Sequence, residues 1–231
     1  MTTPEPQPDP IPTPPPPPPR LQLMAGTVDG LLAPTTVELI PGEVVVAVGR
    51  PGHGNVALAL ALAGRLELTA GSVRLGGDPA PALRQRAVVL VDVPGVTEPD
   101  DAVPFRVIVG EELAMAGRPA GPGATSAWLR EHGLETSPAV HTEDVAPIDR
   151  LRALAELGAD RPGAEFLVIV SPDRHGLHRR EWWPVAHAAA ERGLGVLVTV
   201  SEAVDLAGHA ARLAAIGGAH PSDDTSEESF A

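Results

Sequence analysis

An α/β domain, with a mainly parallel sheet flanked by helices and a small helical subdomain, is the architecture this sequence predicts. Three observations carry it. Short β-branched runs alternate with longer Ala/Leu-rich stretches along most of the 231 residues, which is the rhythm of strand and crossover helix. The runs are apolar at every position, as in central strands buried on both faces. A glycine-rich turn also joins one such run to an Ala/Leu stretch, the local order strand, turn, helix.

From the N-terminus, residues 1–20 hold eleven prolines, including the unbroken run 14–19. They cannot supply a ladder of backbone donors. The segment reads as a proline-rich disordered arm of polyproline II character, either a solvated extension or a ligand for an aromatic-lined groove. The domain spans 21–218. Its clearest strand is 44–48, five apolar residues entered through Pro41, Gly42 and Glu43 and left through Gly49. Residues 56–63 alternate leucine and alanine, so periodicity alone permits a strand; helix propensity and the preceding glycines favour a helix. Strands follow at 88–91, 166–170 and 196–200, with a weaker one at 213–216. Helices are expected at 107–116, 126–132, 150–157 and 182–192. Gly- and Pro-rich loops occupy 117–123 and 161–163, the first setting off the helical subdomain. Residues 219–231 carry Asp223, Asp224, Glu227 and Glu228 among serines, an acidic disordered tail.

Composition excludes several function classes. The formal net charge is -13, and all 17 basic residues are arginines. Nucleic-acid phosphates and anionic lipid surfaces are both bound by excess cationic charge, so neither is an expected partner. There is no cysteine, hence no disulfide, thiolate nucleophile or cysteine-based zinc site. The longest apolar run, 56–63, is far short of the roughly 20 residues that span a bilayer. The start lacks the charged and apolar regions of a secretory signal. The expected location is cytoplasmic, peripheral to the membrane only through a partner.

The candidate site is the turn Gly49, Arg50, Pro51, Gly52, His53, Gly54, Asn55 and Val56. A strand feeding a glycine turn into a helix converges backbone N–H groups, and the helix N-terminus adds roughly half a positive charge. Gly49, Gly52 and Gly54 are placed to supply the special dihedrals of an anion-binding nest. Glycine turns of this kind also arise for packing alone.

The wider text favours the phosphate reading. Pro41, Gly42 and Glu43 lead into the apolar strand, the glycine loop and a helix ending Leu62, Ala63, Gly64; then come Thr69, Ala70, Gly71, Ser72 and Val73, with Gly76 and Gly77. This resembles the opening half of an ATP-binding cassette (ABC) ATPase, the nucleotide-binding subunit of ABC transporters. The segment 150–157 resembles the helix after that family's signature loop, 166–172 its Walker B strand and 196–202 its switch strand. The resemblance covers roughly residues 21–218 and implies a P-loop NTPase-like fold, ATP as ligand, and a membrane subunit or second cassette as partner in a possible dimer.

The same resemblance marks what has been lost. The Walker A lysine falls on Asn55, the only asparagine in the chain, and the magnesium-binding hydroxyl on Val56. The Q-loop glutamine falls near 91–93, where Asp92 is the only polar side chain. The signature Leu-Ser-Gly-Gly-Gln matches Val145, Ala146, Pro147, Ile148 and Asp149. The Walker B aspartate and catalytic glutamate match Val170 and Ser171, and the switch histidine matches Ser201, with Glu202 after it. No tyrosine exists, and the first aromatic of any kind is Phe105, so the adenine-stacking ring is missing too. By this match no catalytic position is intact. Phosphoryl transfer depends on positioned cations, so ATP is expected to bind weakly and Mg2+ not to be held.

Other groups carry competing readings. Arg50 or His53 could replace the missing cation, or both face solvent. Asp173, His175 and His178, with His187 farther on, have loop spacings that a metal could use, or are plain surface groups. Trp182 and Trp183 beside Arg179 and Arg180 form either a partner hot spot with one tryptophan at the edge, or two core residues flanked by solvated arginines. Three functions follow. The first is a degenerate cassette acting as partner or regulatory subunit of an ABC transporter. The second is an active ATPase using Arg50 and Glu202 as substitutes, and the third is a stand-alone interaction module.

Overall fold

The computed structural model describes residues 18–134, 139–201 and 211–217. The expectations for most of the proline arm, for Glu202 and for the acidic tail lie outside the described residues. In chain order come strands β1 (Leu21–Val28), β2 (Leu32–Leu39) and β3 (Val44–Val48), helix α1 (Gly54–Leu62), β4 (Ala70–Leu75), α2 (Pro81–Ala87) and β5 (Val88–Val91). They are followed by α3 (Phe105–Met115), α4 (Pro122–Glu131), a 3-10 turn (Thr142–Asp144), α5 (Pro147–Ala159) and β6 (Phe166–Val170). A second 3-10 turn (Pro172–His175), α6 (Arg179–Glu191), β7 (Gly195–Val200) and β8 (Ala211–Ala215) complete the order.

Five strands form a parallel sheet in the order β5-β6-β7-β3-β8. β3, β5, β6 and β7 are apolar throughout, Thr199 excepted, because both their faces are covered. Val45 and Ala47 of β3, Val88 and Leu90 of β5, and Val168 of β6 face α1 and the strands of a smaller sheet. Val44, Val46, Val89, Val91 and Ile169 face α5 and α6 on the other side. Alternate residues thus feed two different cores, as the period-two pleat requires. β8 is the edge strand, and Leu213 in it remains 46% exposed. That exposure explains its weak apolar signal, and the strand begins two residues earlier than the expected 213–216.

The antiparallel sheet β2-β1-β4 was not expected. β1 starts with clean alternation at Leu21 and Leu23, then slips register between Leu23 and Gly26, and Ala25 takes a φ of 44°. A bulge of this kind shifts the buried residues by one and hides the period. The bulge is matched by Gly71 of β4, at φ +85°, where an added Cβ would lie 2.4 Å from the Ala25 carbonyl oxygen. The short helix α2 also escaped notice, since its seven residues bury only Arg84 and Ala87.

The helical subdomain is present. Phe105, Val109 and Leu113 of α3 pack with Trp128 and Leu129 of α4 against Ala153 and Leu157 of α5. Leu151 and Leu154 on the other side of α5 reach the sheet, so this helix joins the subdomain to the main body. α4 begins at Pro122, inside the expected loop 117–123, and α5 begins at Pro147, three residues before the expected start. In both cases proline occupies the first helical position, where its missing N–H costs nothing. α6 begins at Arg179 and encloses Trp182 and Trp183, which are 1% and 9% exposed. The edge tryptophan of the hot-spot reading is therefore corrected: both rings belong to the core, with centroids 6.2 Å apart.

Candidate functional site

The carboxyl ends of β3, β5, β6 and β7 place the groups singled out in the sequence along one edge of the sheet, where ligands of open α/β folds bind. β3 ends at Val48, and the Gly49 N–H donates to the Val200 carbonyl at 3.0 Å, tying the loop to β7. Arg50, Pro51, Gly52 and His53 are exposed. The first bond of α1 runs from the Ala57 N–H to the His53 carbonyl at 2.8 Å. No side chain caps the helix and no acid sits in its first turn, so the N–H groups of Gly54, Asn55 and Val56 have no intrahelical acceptor.

Of the three glycines expected to supply special dihedrals, only Gly52 has a positive φ, at 144°. Gly49 is required for a different reason: an added Cβ would stand 2.9 Å from Asn55 Oδ1 and 3.0 Å from the Ile216 side chain. The loop borders a groove of about 640 Å3 completed by Leu31, Val48, Ser201, Ala215 and Ile216. Arg50 and His53 line its rim, and neither makes an ion pair with a described residue.

Asn55 lies beneath the loop, 2% exposed. Its Nδ2 donates to Ser171 Oγ at 2.9 Å, while Oδ1 is buried without a hydrogen-bond partner. Ser171 follows β6 in the left-handed conformation, φ 46° and ψ 58°. It is pinned there by its N–H, which donates to the Thr199 carbonyl at 2.9 Å and to Thr199 Oγ1 at 3.1 Å. The positions matched to the Walker A lysine and the catalytic glutamate are therefore joined by a neutral, buried hydrogen bond. Val170 is 1% exposed, in the core, and Val56 packs against the same cluster. Ser201 donates its N–H to Asp173 Oδ2 at 2.8 Å, which fastens the end of β7 to the turn after β6.

Asp92, at the end of β5, is the centre of a buried ion cluster that sequence reasoning missed. It is 4% exposed with φ 55°. Its carboxylate lies 3.0 Å from Arg174, 3.0 Å from His175 and 3.6 Å from Arg150. Burial by itself would raise the Asp92 carboxyl, but the hydrogen bond from His175 and the charges of Arg174 and Arg150 hold it below the usual range. Arg174 also donates to Glu98 at 2.9 Å and to the Val170 carbonyl at 2.9 Å. The cluster locks the first turn of α5 to the ends of β5 and β6. The only signal in the sequence was an isolated aspartate in an apolar run.

Asp173, His175 and His178, the alternative metal reading, are not brought together. Asp173 receives the Ser201 N–H, His175 faces Asp92, and the His178 N–H donates to Glu181 Oε2 at 2.9 Å. His187 lies 3.5 Å from Glu191 instead. Ligand atoms of Asp92, Glu98 and His175 do fall within 4.8 Å of one another, yet Arg174 bridges the two carboxylates and supplies the positive charge a cation would bring. Beside the loop, Val56 and Val170 offer no side-chain oxygen in place of the Mg2+ ligands of a working cassette, so these residues do not fit that ion. The segment Val145, Ala146, Pro147, Ile148 and Asp149 forms the entry to α5, with Val145 buried at 8%. No described helix is long and apolar enough to cross a membrane.

Comparison with known proteins gives the fold a context. No family model matches the chain. A curated protein of Streptomyces coelicolor, provisionally described as an ABC transporter ATP-binding protein, is 35% identical over 185 residues, 76% of this chain. The chain spans only 30% of that relative's length. Among solved structures, a protein of Pyrococcus furiosus provisionally described as an ABC transporter ATP-binding protein superimposes with a TM-score of 0.58 at 12% identity, over 84% of this chain and 96% of its own. Another, described as the ATP binding subunit of an ABC transporter, gives 0.53 at 17% identity over 78% of both chains. The α/β architecture with its five-stranded parallel sheet is that of ABC ATPase structures.

Proposed function

We propose that this chain is an ABC transporter-type ATP-binding domain that no longer hydrolyses ATP and serves as a partner or regulatory subunit. It docks to an active cassette or to a transporter's membrane subunit at the cytoplasmic face. Residues 21–218 form the cassette, flanked by the proline-rich arm 1–20 and the acidic arm 219–231. The observation that carries the reading is the buried Asn55–Ser171 bond of 2.9 Å, in the place of a lysine and a carboxylate.

A charge-assisted hydrogen bond contributes about 1.5–3 kcal/mol, so loss of the lysine alone weakens nucleotide binding by roughly 10- to 200-fold. Ser171 does not titrate near neutral pH and cannot serve as the general base that activates water. What remains is the backbone cradle, which supports weak ATP binding. The likeness in fold to ABC ATPases and the partial match to the Streptomyces coelicolor protein support the assignment.

The test is release of radiolabelled phosphate from ATP by the purified full chain with Mg2+, beside Asn55→Ala and Ser171→Ala. No turnover above buffer is expected from any of them. Turnover by the wild type that either substitution abolishes would overturn the proposal.

A further inference from the structure

We infer that the groove between α5 and α6 binds a small organic cation, an ammonium carried on an apolar body. The site does not depend on the cassette reading, and it shares no lining residue with the loop groove. The two helices lie side by side on one face of the sheet, and Ala155, Ala159 and Ala188 are too short to close the space between them. What remains is a cavity of about 530 Å3, with Ile148 and Val185 in its apolar wall and Trp128 and His132, at the end of α4, completing it. Pockets of roughly this size hold small molecules.

One carboxylate on this cavity has no compensating charge. His132 Nδ1 lies 2.7 Å from the Trp128 carbonyl, an oxygen that can only accept, so Nδ1 carries the proton of the neutral ring. Nε2 is then a lone pair, and it faces Glu156 Oε2 at 3.4 Å. Two acceptors oppose each other. The ring is held there by stacking on Trp128, itself 3% exposed, at a centroid distance of 4.0 Å. Glu156 Oε2 is shut off from solvent without a hydrogen-bond partner. The side chain as a whole is 39% exposed, which leaves Oε1 as the accessible oxygen.

The other charged groups around the cavity are already matched. Asp160 pairs with Arg192 and Arg118, Arg152 lies 3.6 Å from Asp149 and donates to the His132 carbonyl at 3.5 Å, and Glu181 Oε2 accepts the His178 N–H. Glu156 is left with a neutral imidazole. A ligand ammonium at Oε1 supplies the missing positive charge while its apolar body lies along Ile148 and Val185. The net charge of -13 favours the approach of a cation over that of an anion. A proton on His132 supplies the same charge from within, because Nε2 then donates to Oε2. Proton and ligand therefore compete.

The full chain, labelled with 15N-tryptophan, is titrated at about pH 8 with phenethylammonium, and with phenethyl alcohol and phenylacetate, which keep the ring and lose the positive charge. A saturable shift of the Trp128 indole N–H, assigned by its loss in Trp128→Phe, is expected with the ammonium, and at least tenfold weaker binding with the other two. Glu156→Gln should weaken the ammonium about tenfold, the low end for a charge-assisted bond because the carboxylate is partly solvated. Ala188→Trp, at an exposed position, should weaken it as much by filling the groove. At about pH 5, where an imidazole is ordinarily protonated, the wild type should bind several-fold more weakly, and His132→Phe should show no such loss. Equal binding of the alcohol, undiminished affinity in a folded Glu156→Gln or Ala188→Trp, equal or tighter wild-type binding at about pH 5, or no binding at all would overturn the inference. Should a variant fail to fold, the comparison of the three ligands on the wild type still decides. None of these outcomes bears on the non-hydrolysing role, which ATP turnover alone tests.

Discussion

Asp92→Asn isolates the contribution of the buried ion cluster. The substitution keeps the side-chain shape, and asparagine tolerates the left-handed φ of 55° better than most residues. What it removes is the charge facing Arg150, whose side chain is 7% exposed, and Arg174, at 22%. Breaking a buried pair by deleting one partner costs about 3–5 kcal/mol. The retained amide oxygen still accepts one hydrogen bond, so the lower end, about 3 kcal/mol, is expected. Against a total stability of roughly 5–15 kcal/mol this is a large loss. Urea unfolding followed by tryptophan fluorescence measures it, since all three tryptophans are buried. The denaturation midpoint should fall with an unchanged slope.

The pH dependence gives the same experiment a second readout. The Asp92 carboxyl lies below its ordinary value in the folded protein, so its stabilisation is full above the unfolded aspartate value of about 3.9 and is lost as pH falls through the folded value. The stability gap between wild type and Asp92→Asn should therefore be constant from neutral pH down to about 5, and close on further acidification. A gap within about 0.5 kcal/mol at pH 7, the range of ordinary surface substitutions, would refute the claim that this cluster clamps α5 to the sheet.

Other outcomes are equally specific. Gly71→Ala should cost well over the roughly 1–2 kcal/mol of left-handed strain alone, because its Cβ meets the Ala25 carbonyl oxygen at 2.4 Å. Gly77→Ala, at φ +89° with open space around it, should cost only that strain, and equal losses in thermal unfolding would refute the bulge contact. Trp182→Ala should lose about 3–5 kcal/mol in urea unfolding, as for a large core side chain, while the exposed Arg180→Ala should stay within about 0.5 kcal/mol. The double variant Asn55→Lys, Val56→Ser should bind Mg-ATP at least tenfold more tightly in a fluorescent-nucleotide titration. No gain would mean that the loop is not a phosphate cradle.

Much of the frame was legible because its signals are local. Five apolar residues between Glu43 and Gly49 admit little except a buried strand, and the Ala/Leu stretch behind a glycine turn admits a helix. Where pattern reading failed, a partner distant in sequence set the structure. The bulge in β1 depends on Gly71, and the short α2 buries an arginine that reaches the Val73 and Pro79 carbonyls. Pro122 and Pro147, which open α4 and α5, stand in the sequence, but a proline marks a loop as readily as the first turn of a helix.

At the site, the sequence by itself determined which side chains are available: there is no lysine for any fold to use, and the two positions that the resemblance matches to magnesium ligands carry valine. Tertiary structure decided which of the available side chains meet. Asn55 and Ser171 are separated by 116 positions and meet only because β3 and β6 lie on either side of β7 in one sheet. Asp92 finds Arg150 and Arg174 by the same means. Hydrogen bonds and ion pairs act over a few ångströms, and sequence distance carries no record of which side chains the folded sheet will bring that close.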